Sequence, residues 1–386
     1  MLDLTRVRAG PTCVKQFADF GADVIKVESV EPDMMNGARH GHDMQNLHRN
    51  KRSLALNLKS PEGHEIFLRL VRQADVVVEN FRPDVKHRLG IDYESLRAIN
   101  RRIILASISG FGQDGPYSLR PGFDQIAQGM GGFMSVTGAP GGGPMRGGAA
   151  IADIAAGLFA ALGIFTALIE REHSGEGQWV QSNLLMSQIA LMDFQAARYL
   201  VEGDVPKQVG NDHPTFMPTS AYPTKDGWVN ISAAGQPIWE RLAHGLGHPE
   251  WIPRAEYADN AARSTNRATL NAAIAEVTAT RTSAEWVEIL NEAGVPTGPI
   301  YNMDEVFADA QVQHIHAAVP VPHPTLGEVR VVNQAVTLSR TPAAMARATP
   351  EHGEHTDEIL RELGLDAATI DGLRARGVIH GASDGR

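Results

Sequence analysis

Ser53-Leu54-Ala55-Leu56-Asn57-Leu58, then Ser60-Pro61-Glu62, then Val76-Val77-Val78 form the stretch that sets the fold class. The first run reads as a strand. Ser60-Pro61-Glu62 opens a helix, with a serine at the N-cap, proline at the first helical position and an early carboxylate facing the helix dipole. Ile66, Phe67, Leu70 and Val71 recur at helical spacing behind it. The three valines are a continuous β-branched run, as in a strand buried on both faces. The same alternation extends in both directions. Upstream, Leu2-Asp3-Leu4 reads as a strand, residues 11–20 as a helix closed by Gly21-Ala22, and residues 23–28 as a strand. Downstream, residues 102–109 repeat the strand theme with Ile103, Ile104, Leu105 and Ile108. Such alternation predicts an α/β fold with a mostly parallel, Rossmann-like sheet and helices on both faces. No Gly-x-Gly-x-x-Gly follows the first strand, so a doubly wound sheet need not bind a dinucleotide.

The chain has 386 residues, 43% apolar and 21% charged, the balance of a soluble protein long enough for two domains. Its one cysteine, Cys13, cannot form an intrachain disulfide and reads as a small buried residue. Met1-Leu2-Asp3-Leu4-Thr5-Arg6 lacks the apolar run of a signal peptide, and a cytoplasmic setting is expected. From Gly147 to Ile169 the sole ionisable residue is Asp153. That run has the length of a membrane span, but its Ala and Gly content and lone carboxylate predict a buried helix, with no membrane partner. The net charge of −10 argues against nucleic acid as a partner. Basic residues nevertheless cluster at His48-Arg49-Asn50-Lys51-Arg52 and at Arg82, Lys86, His87 and Arg88. Such clusters are either solvated surface or a seat for a small polyanion.

Asp153 stands out by pattern. It lies early in the apolar helix, three or four positions from Ala149, Ala150, Ala156 and Gly157, which leave room for a ligand. A partly desolvated aspartate there is a candidate nucleophile. The same position also suits a first-turn residue that complements the helix dipole. Gly147 and Gly148 would let a ligand approach backbone N–H groups able to hold an oxyanion, or simply form a flexible loop. His40, His42 and His48 with Asp43, and His314, His316 and His323, match no zinc spacing, so no metal is expected. Residues 222–228 read as a turn between two strands, residues up to about 293 as amphipathic helices, residues 323–327 as a turn, and residues 354–363 as a helix.

Several ordered segments together resemble the class III CoA-transferase family, also called CaiB/BaiF. They are Leu2-Asp3-Leu4-Thr5-Arg6-Val7 with Ala9-Gly10-Pro11, Gly21-Ala22-Asp23-Val24-Ile25-Lys26-Val27-Glu28, Asn50-Lys51-Arg52-Ser53, Val78-Glu79-Asn80-Phe81-Arg82-Pro83, Ser107-Ile108-Ser109-Gly110-Phe111-Gly112, Gly122-Phe123-Asp124 and Gly353-Glu354-His355-Thr356-Asp357-Glu358. The resemblance, to members such as formyl-CoA transferase and succinyl-CoA:dicarboxylate CoA-transferases, implies a catalytic aspartate at Asp153. It implies CoA contacts at Val7, Arg8, Ala9, Ser29, Leu56, Lys59, Asn80, Phe81, Arg82 and Arg88. Arg8, Phe123, Asp124, Gly147 and Gly148 are expected on the substrate and oxyanion side. It also implies an interlocked homodimer. Residues 1–195 would be a large CoA-binding domain and 221–305 a small α/β domain. Linkers would run over 196–220 and 306–330, and residues 331–386 would return to the large domain.

By that resemblance the chain passes CoA from an acyl-CoA donor, succinyl-CoA or similar, to a mono- or dicarboxylic acid through an aspartyl anhydride and an aspartyl-CoA thioester. CoA is the acyl carrier. Arg8 stands where several members have Gln or Leu, and is suited to a distal carboxylate. No tetraglycine loop of the formyl-CoA transferases is found. Asn36 replaces an arginine common in the family, and the resemblance puts Arg39 forward as its stand-in. Two alternatives remain at this stage. An α-methylacyl-CoA racemase would need a histidine at Phe123, and a non-catalytic acyl-CoA binding protein would not need Asp153.

Overall fold

The computed structural model describes residues 1–31 and 38–381. The strands are β1 (Leu2–Asp3), β2 (Ile25–Glu28), β3 (Arg52–Leu56), β4 (Val76–Glu79), β5 (Ile104–Ser109), β6 (Trp179–Asn183), β7 (Thr219–Pro223), β8 (Trp228–Ser232), β9 (Thr297–Pro299), β10 (Ala318–His323), β11 (Gly327–Val332) and β12 (Ile379–His380). Seven of them form one sheet in the order β12-β3-β2-β1-β4-β5-β6. Every neighbouring pair in it is parallel except β12 with β3. The first six strands thus follow the doubly wound order 3-2-1-4-5-6, in which the winding reverses between β1 and β4.

The valine run behaves as its composition predicts. Val77 packs on one face with Leu2, Leu54, Leu56 and Phe67, while Val76 and Val78 pack on the other with Val14, Ile104 and Ala156. The helix Pro61–Val71 starts at Ser60, whose hydroxyl accepts the Gly63 N–H at 3.0 Å, and it buries Ile66, Phe67, Leu70 and Val71.

The apolar stretch forms the helix Ile151–Ser174, long and apolar enough to cross a membrane by length and composition. One face is core: Ala152, Ala156, Ala160, Ala161 and Ile164 are buried with Cys13 and Val14 of the helix Ala9–Asp19. The two helices approach so closely that a Cβ on Gly157 would lie 2.5 Å from the Ala9 carbonyl oxygen. Only glycine fits there, and the contact sets Asp153, one turn earlier, at the start of the other helix.

The chain divides into two units. Residues 1–133, 146–204 and 313–386 carry the seven-stranded sheet and the β10–β11 hairpin. Residues 134–145 and 205–312 carry the antiparallel sheet β7-β8-β9, with a core of Trp239, Trp251, Tyr257, Leu270 and Trp286.

The cluster His48–Arg52 is neither solvated surface nor a seat for a polyanion. Its cations are buried and already paired. Arg49 grips Asp19 through two N–H groups at 3.0 and 2.7 Å. Lys51 Nζ lies 2.8 Å from Asp3 Oδ2. Arg52 holds Asp23 at 2.7 Å and Glu358 and Glu362 at 2.8 Å, tying β3 to the C-terminal helix Thr356–Glu362.

Candidate active site

A cavity of about 920 Å³ opens at the carboxyl ends of β1 to β5, the crevice in which open α/β sheets bind ligands. The segment after β1 contributes Leu4 to Ala9, that after β2 Ser29, Val30 and Glu31, that after β3 Asn57 to Lys59, and that after β4 Asn80 to Pro83. Phe123 and Asp153 also line the cavity. Six basic side chains line it (Arg6, Arg8, Lys26, Lys59, Arg82 and Arg120) against the carboxylates of Glu28, Glu31 and Asp153. A chain of net charge −10 therefore gathers positive charge at this one crevice, the environment a polyanion requires.

The wall after β1 is held from both sides. Asp3, buried, accepts the Thr5 N–H at 2.9 Å, the Thr5 hydroxyl at 2.6 Å and the Lys51 ammonium. Burial opposes the Asp3 charge, but Lys51 and Lys26 hold the group below the ordinary carboxylate range. The Asn80 side chain accepts the Arg6 N–H at 2.9 Å and donates to the Arg6 carbonyl at 2.7 Å. Between these anchors Val7 adopts φ +63°, a strained conformation for a β-branched residue and one that concentrates at functional sites. The Arg6 guanidinium sits over the Phe81 ring at 5.7 Å, and the Phe81 N–H donates to Glu79 at 2.8 Å.

Asp153 does not cap its helix. Asp124 does so instead: its Oδ1 accepts the N–H groups of Ala152 at 2.9 Å and Asp153 at 3.4 Å. Gln128 holds Asp124 in turn, donating to Oδ2 at 2.6 Å. This leaves the half-buried Asp153 carboxyl turned to the cavity. Burial, then the neighbouring Asp124 charge, push its pKa up from 3.8 to about 6, and the Arg8 cation draws it back.

Residues 1–356 match CoA-transferase family III. The chain is 38% identical to a succinate–glutarate CoA-transferase of Agrobacterium fabrum, covering 94% of each chain. It is equally 38% identical to a formyl-CoA:oxalate CoA-transferase of Bradyrhizobium, covering 94% of this chain and 92% of that one. The crystal structure of a CaiB/BaiF family protein from Brucella suis superposes with a TM-score of 0.84 at 35% identity, over 94% of this chain and 97% of the other. The chain belongs to CoA-transferase family III.

The fold gathers most of the residues expected to serve a class III CoA-transferase. Val7, Arg8, Ala9, Ser29, Leu56, Lys59, Asn80, Phe81, Arg82, Phe123 and Asp153 line one cavity. Others lie outside that lining. Arg88 is 69% exposed and lies 3.6 Å from Asp84. Lys86 turns inward, 3.8 Å from buried Glu79, so the second basic cluster is divided between cavity, solvent and core. Asp124 acts behind Asp153. Gly147 donates its N–H to Gln128 at 2.9 Å, and Gly148 faces open space. Arg39 donates to Glu28 at 2.7 Å and to the Pro350 carbonyl, while Asn36 lies outside the described residues. Cys13 is fully buried and its thiol is pushed up by burial.

Arg6, Lys26 and Arg120 line the transferase cavity without having been singled out in the sequence. Arg6 adjoins Val7, so the loop itself was the signal. Lys26 lies in a strand inside residues 21–28, one of the segments that carry the resemblance, and Arg120 in an irregular segment that no pattern marks.

Among the described residues His40, His323 and Glu351 lie close enough to share an ion. The chemistry does not suit one. His40 Nε2 is already 2.7 Å from Glu351, and His323 Nδ1 accepts the N–H groups of Thr325 and Leu326 at 3.1 and 3.2 Å. The neutral His323 ring must then carry its proton on Nε2, which leaves no lone pair for a metal.

Proposed function

We propose that this class III CoA-transferase moves CoA from succinyl-CoA, or a similar acyl-CoA, to a dicarboxylic acid, with Asp153 as covalent nucleophile. One observation carries the reading: a half-buried carboxyl, relieved of helix capping by Asp124, faces a basic cavity at the sheet's switch point.

An Asp153 oxygen attacks the thioester carbonyl of the donor. The C–S bond breaks, giving a mixed anhydride and CoA thiolate. The thiolate attacks the aspartyl carbonyl, releasing the donor acid and leaving an aspartyl-CoA thioester. The acceptor carboxylate repeats the sequence in reverse and departs as the new thioester, regenerating Asp153. A carboxylate suits this role because its acyl derivatives keep their transfer potential. At pH 7 a group with a pKa near 6 is mostly ionised, as attack requires.

CoA would be held by Val7, Arg8, Ala9, Ser29, Leu56, Lys59, Asn80, Phe81 and Arg82. Lys59 and Arg82 suit its phosphates. The similar proteins are named for glutarate and oxalate, both dicarboxylic acids. Arg8 on the cavity wall suits the second carboxylate of such an acceptor. The Phe123 side chain has no proton to exchange, which favours transfer over racemisation. The enzyme is read as a soluble cytoplasmic homodimer.

The test is to incubate the protein with succinyl-, acetyl-, formyl- and oxalyl-CoA against a panel of carboxylic acids and read new thioesters by mass spectrometry. Transfer from succinyl-CoA to dicarboxylates is expected, and Asp153→Ala should abolish it. A fully active Asp153→Ala would sink the reading.

A further inference from the structure

Arg8 enters the cavity from a fixed backbone. Arg6 is clamped by Asn80, Val7 is locked at positive φ, and the Arg8 carbonyl accepts the Thr12 N–H at 2.8 Å as its helix begins. The guanidinium itself is paired with Asp43, Oδ1 lying 2.6 Å from a terminal nitrogen. Asp43 sits in the first turn of the helix His42–Leu47, which is seated by buried Met44 and Leu47. The pair is partly in solvent, with side chains 27% and 44% exposed, and ion pairs of this kind are easily exchanged for others. The Asp43 Oδ2 lies 3.9 Å from the exposed His42 imidazole.

A carboxylate held against Arg8 is chemically what the far end of a dicarboxylic acid would present while its near end meets Asp153. We propose that Asp43 is a resident stand-in for that distal carboxylate, a specificity-determining residue that occupies Arg8 until a dicarboxylate displaces it. The proposal rests on the reading of Asp153 as the transferring nucleophile. A monocarboxylate offers Arg8 nothing and leaves the pair closed. A dicarboxylate competes with Asp43, so its apparent affinity is lowered by the competitor and selectivity depends on both members of the pair.

The full-length enzyme, with succinyl-CoA as donor, is assayed against dicarboxylates of about two to six carbons and monocarboxylates of matching length, for the parent, Asp43→Asn, Asp43→Glu, Arg8→Leu and the double variant Asp43→Asn/Arg8→Leu. Asp43→Asn should raise the dicarboxylate-to-monocarboxylate ratio of kcat/KM about two- to fivefold, the scale of a partly exposed ion pair. Asp43→Glu, which restores the pair, should return the ratio towards that of the parent. In the Arg8→Leu background the Asp43 substitution should have no further effect on the ratio. A ratio unmoved or lowered by Asp43→Asn, or an effect that persists without Arg8, overturns the proposal. Failure of the transfer reading is separately visible, because the parent would then form no new thioester or Asp153→Ala would retain activity.

Discussion

Asp153 sits in a position that burial and Asp124 make costly for a charge, and two measurable consequences follow from its pKa of about 6. Attack needs the carboxylate, so kcat/KM should rise with pH through about 6 and level off above it. Arg8 draws that pKa down; Arg8→Leu should therefore move the acid limb of the pH–rate profile to higher pH, apart from any change in acceptor preference. An unshifted limb would show that another group titrates. The second consequence is for stability. Below about pH 3, under the free-aspartate value of 3.8, the carboxyl is protonated whether the chain is folded or not, and it contributes no difference. Between about pH 4 and 6 the unfolded chain ionises freely while the folded chain resists, and stability is lost; above about 6 both are ionised and the loss levels off. A displacement of this size corresponds to about 2–3 kcal/mol, and partial solvent access reduces it to about 1–2 kcal/mol. Asp153→Asn should accordingly melt higher than the parent at pH 7.5 and alike at about pH 3, while being inactive. A variant less stable at both pH values would mean that the carboxylate has structural work of its own.

The elements differ in how readily the sequence discloses them. The helix Pro61–Val71 and the strands β3 and β4 are legible because capping, period and β-branching agree locally. Of the hairpin β10–β11 the turn at residues 323–327 is legible, but strand β10 is hidden, since Pro320 and Pro322 argue against a strand. Two residues apart, however, they fall on one edge and leave the other free to pair with β11. The two-residue β12 is too short for any periodicity and exists because β3 offers it an edge. At the site, Asp153 shows through its apolar surroundings; Asp124, 29 residues earlier, is named by the Gly122-Phe123-Asp124 segment, but its role as the cap of the Asp153 helix emerges only in three dimensions. The buried cluster at residues 48–52 misleads for the same reason, because Asp3, Asp19 and Asp23 are invisible as its partners in a linear reading. Helix contact carries a prediction here. A Cβ on Gly157 would meet the Ala9 carbonyl at 2.5 Å and Thr12 Cβ at 2.9 Å, and a backbone oxygen cannot swing aside. Gly157→Ala should cost about 1–3 kcal/mol, read as a lower urea midpoint. It should also reduce kcat at temperatures where the variant is fully folded, because Asp153 and Arg8 are set by the two helices that must part. Unchanged kcat in a destabilised variant would uncouple the packing from the site.

At the scale of the molecule, the helix Ile151–Ser174 leaves a problem that one chain does not solve. Opposite its alanine face it exposes Leu158, Phe159, Leu162 and Ile169, the last two by 61% and 67%. Met186, Ile189 and Leu191 of the following helix are exposed as well. An apolar surface of this extent is uncommon on a monomer, and a second copy of the same chain is the partner that symmetric association supplies most simply. The expected homodimer should appear in sedimentation or light scattering at about twice the 41.7 kDa of one chain. Leu162→Glu combined with Ile169→Glu places two charges on that face without touching the cavity lining. The double variant should sediment as a monomer or aggregate, and a soluble dimer of unchanged stability would exclude this face from the contact. If the monomer remains folded, its activity distinguishes two designs. Retained transfer means that the cavity at the carboxyl ends of β1 to β5 is complete within one chain; lost transfer with CoA binding preserved means that the partner chain closes the acyl end over Asp153 and excludes water from the anhydride.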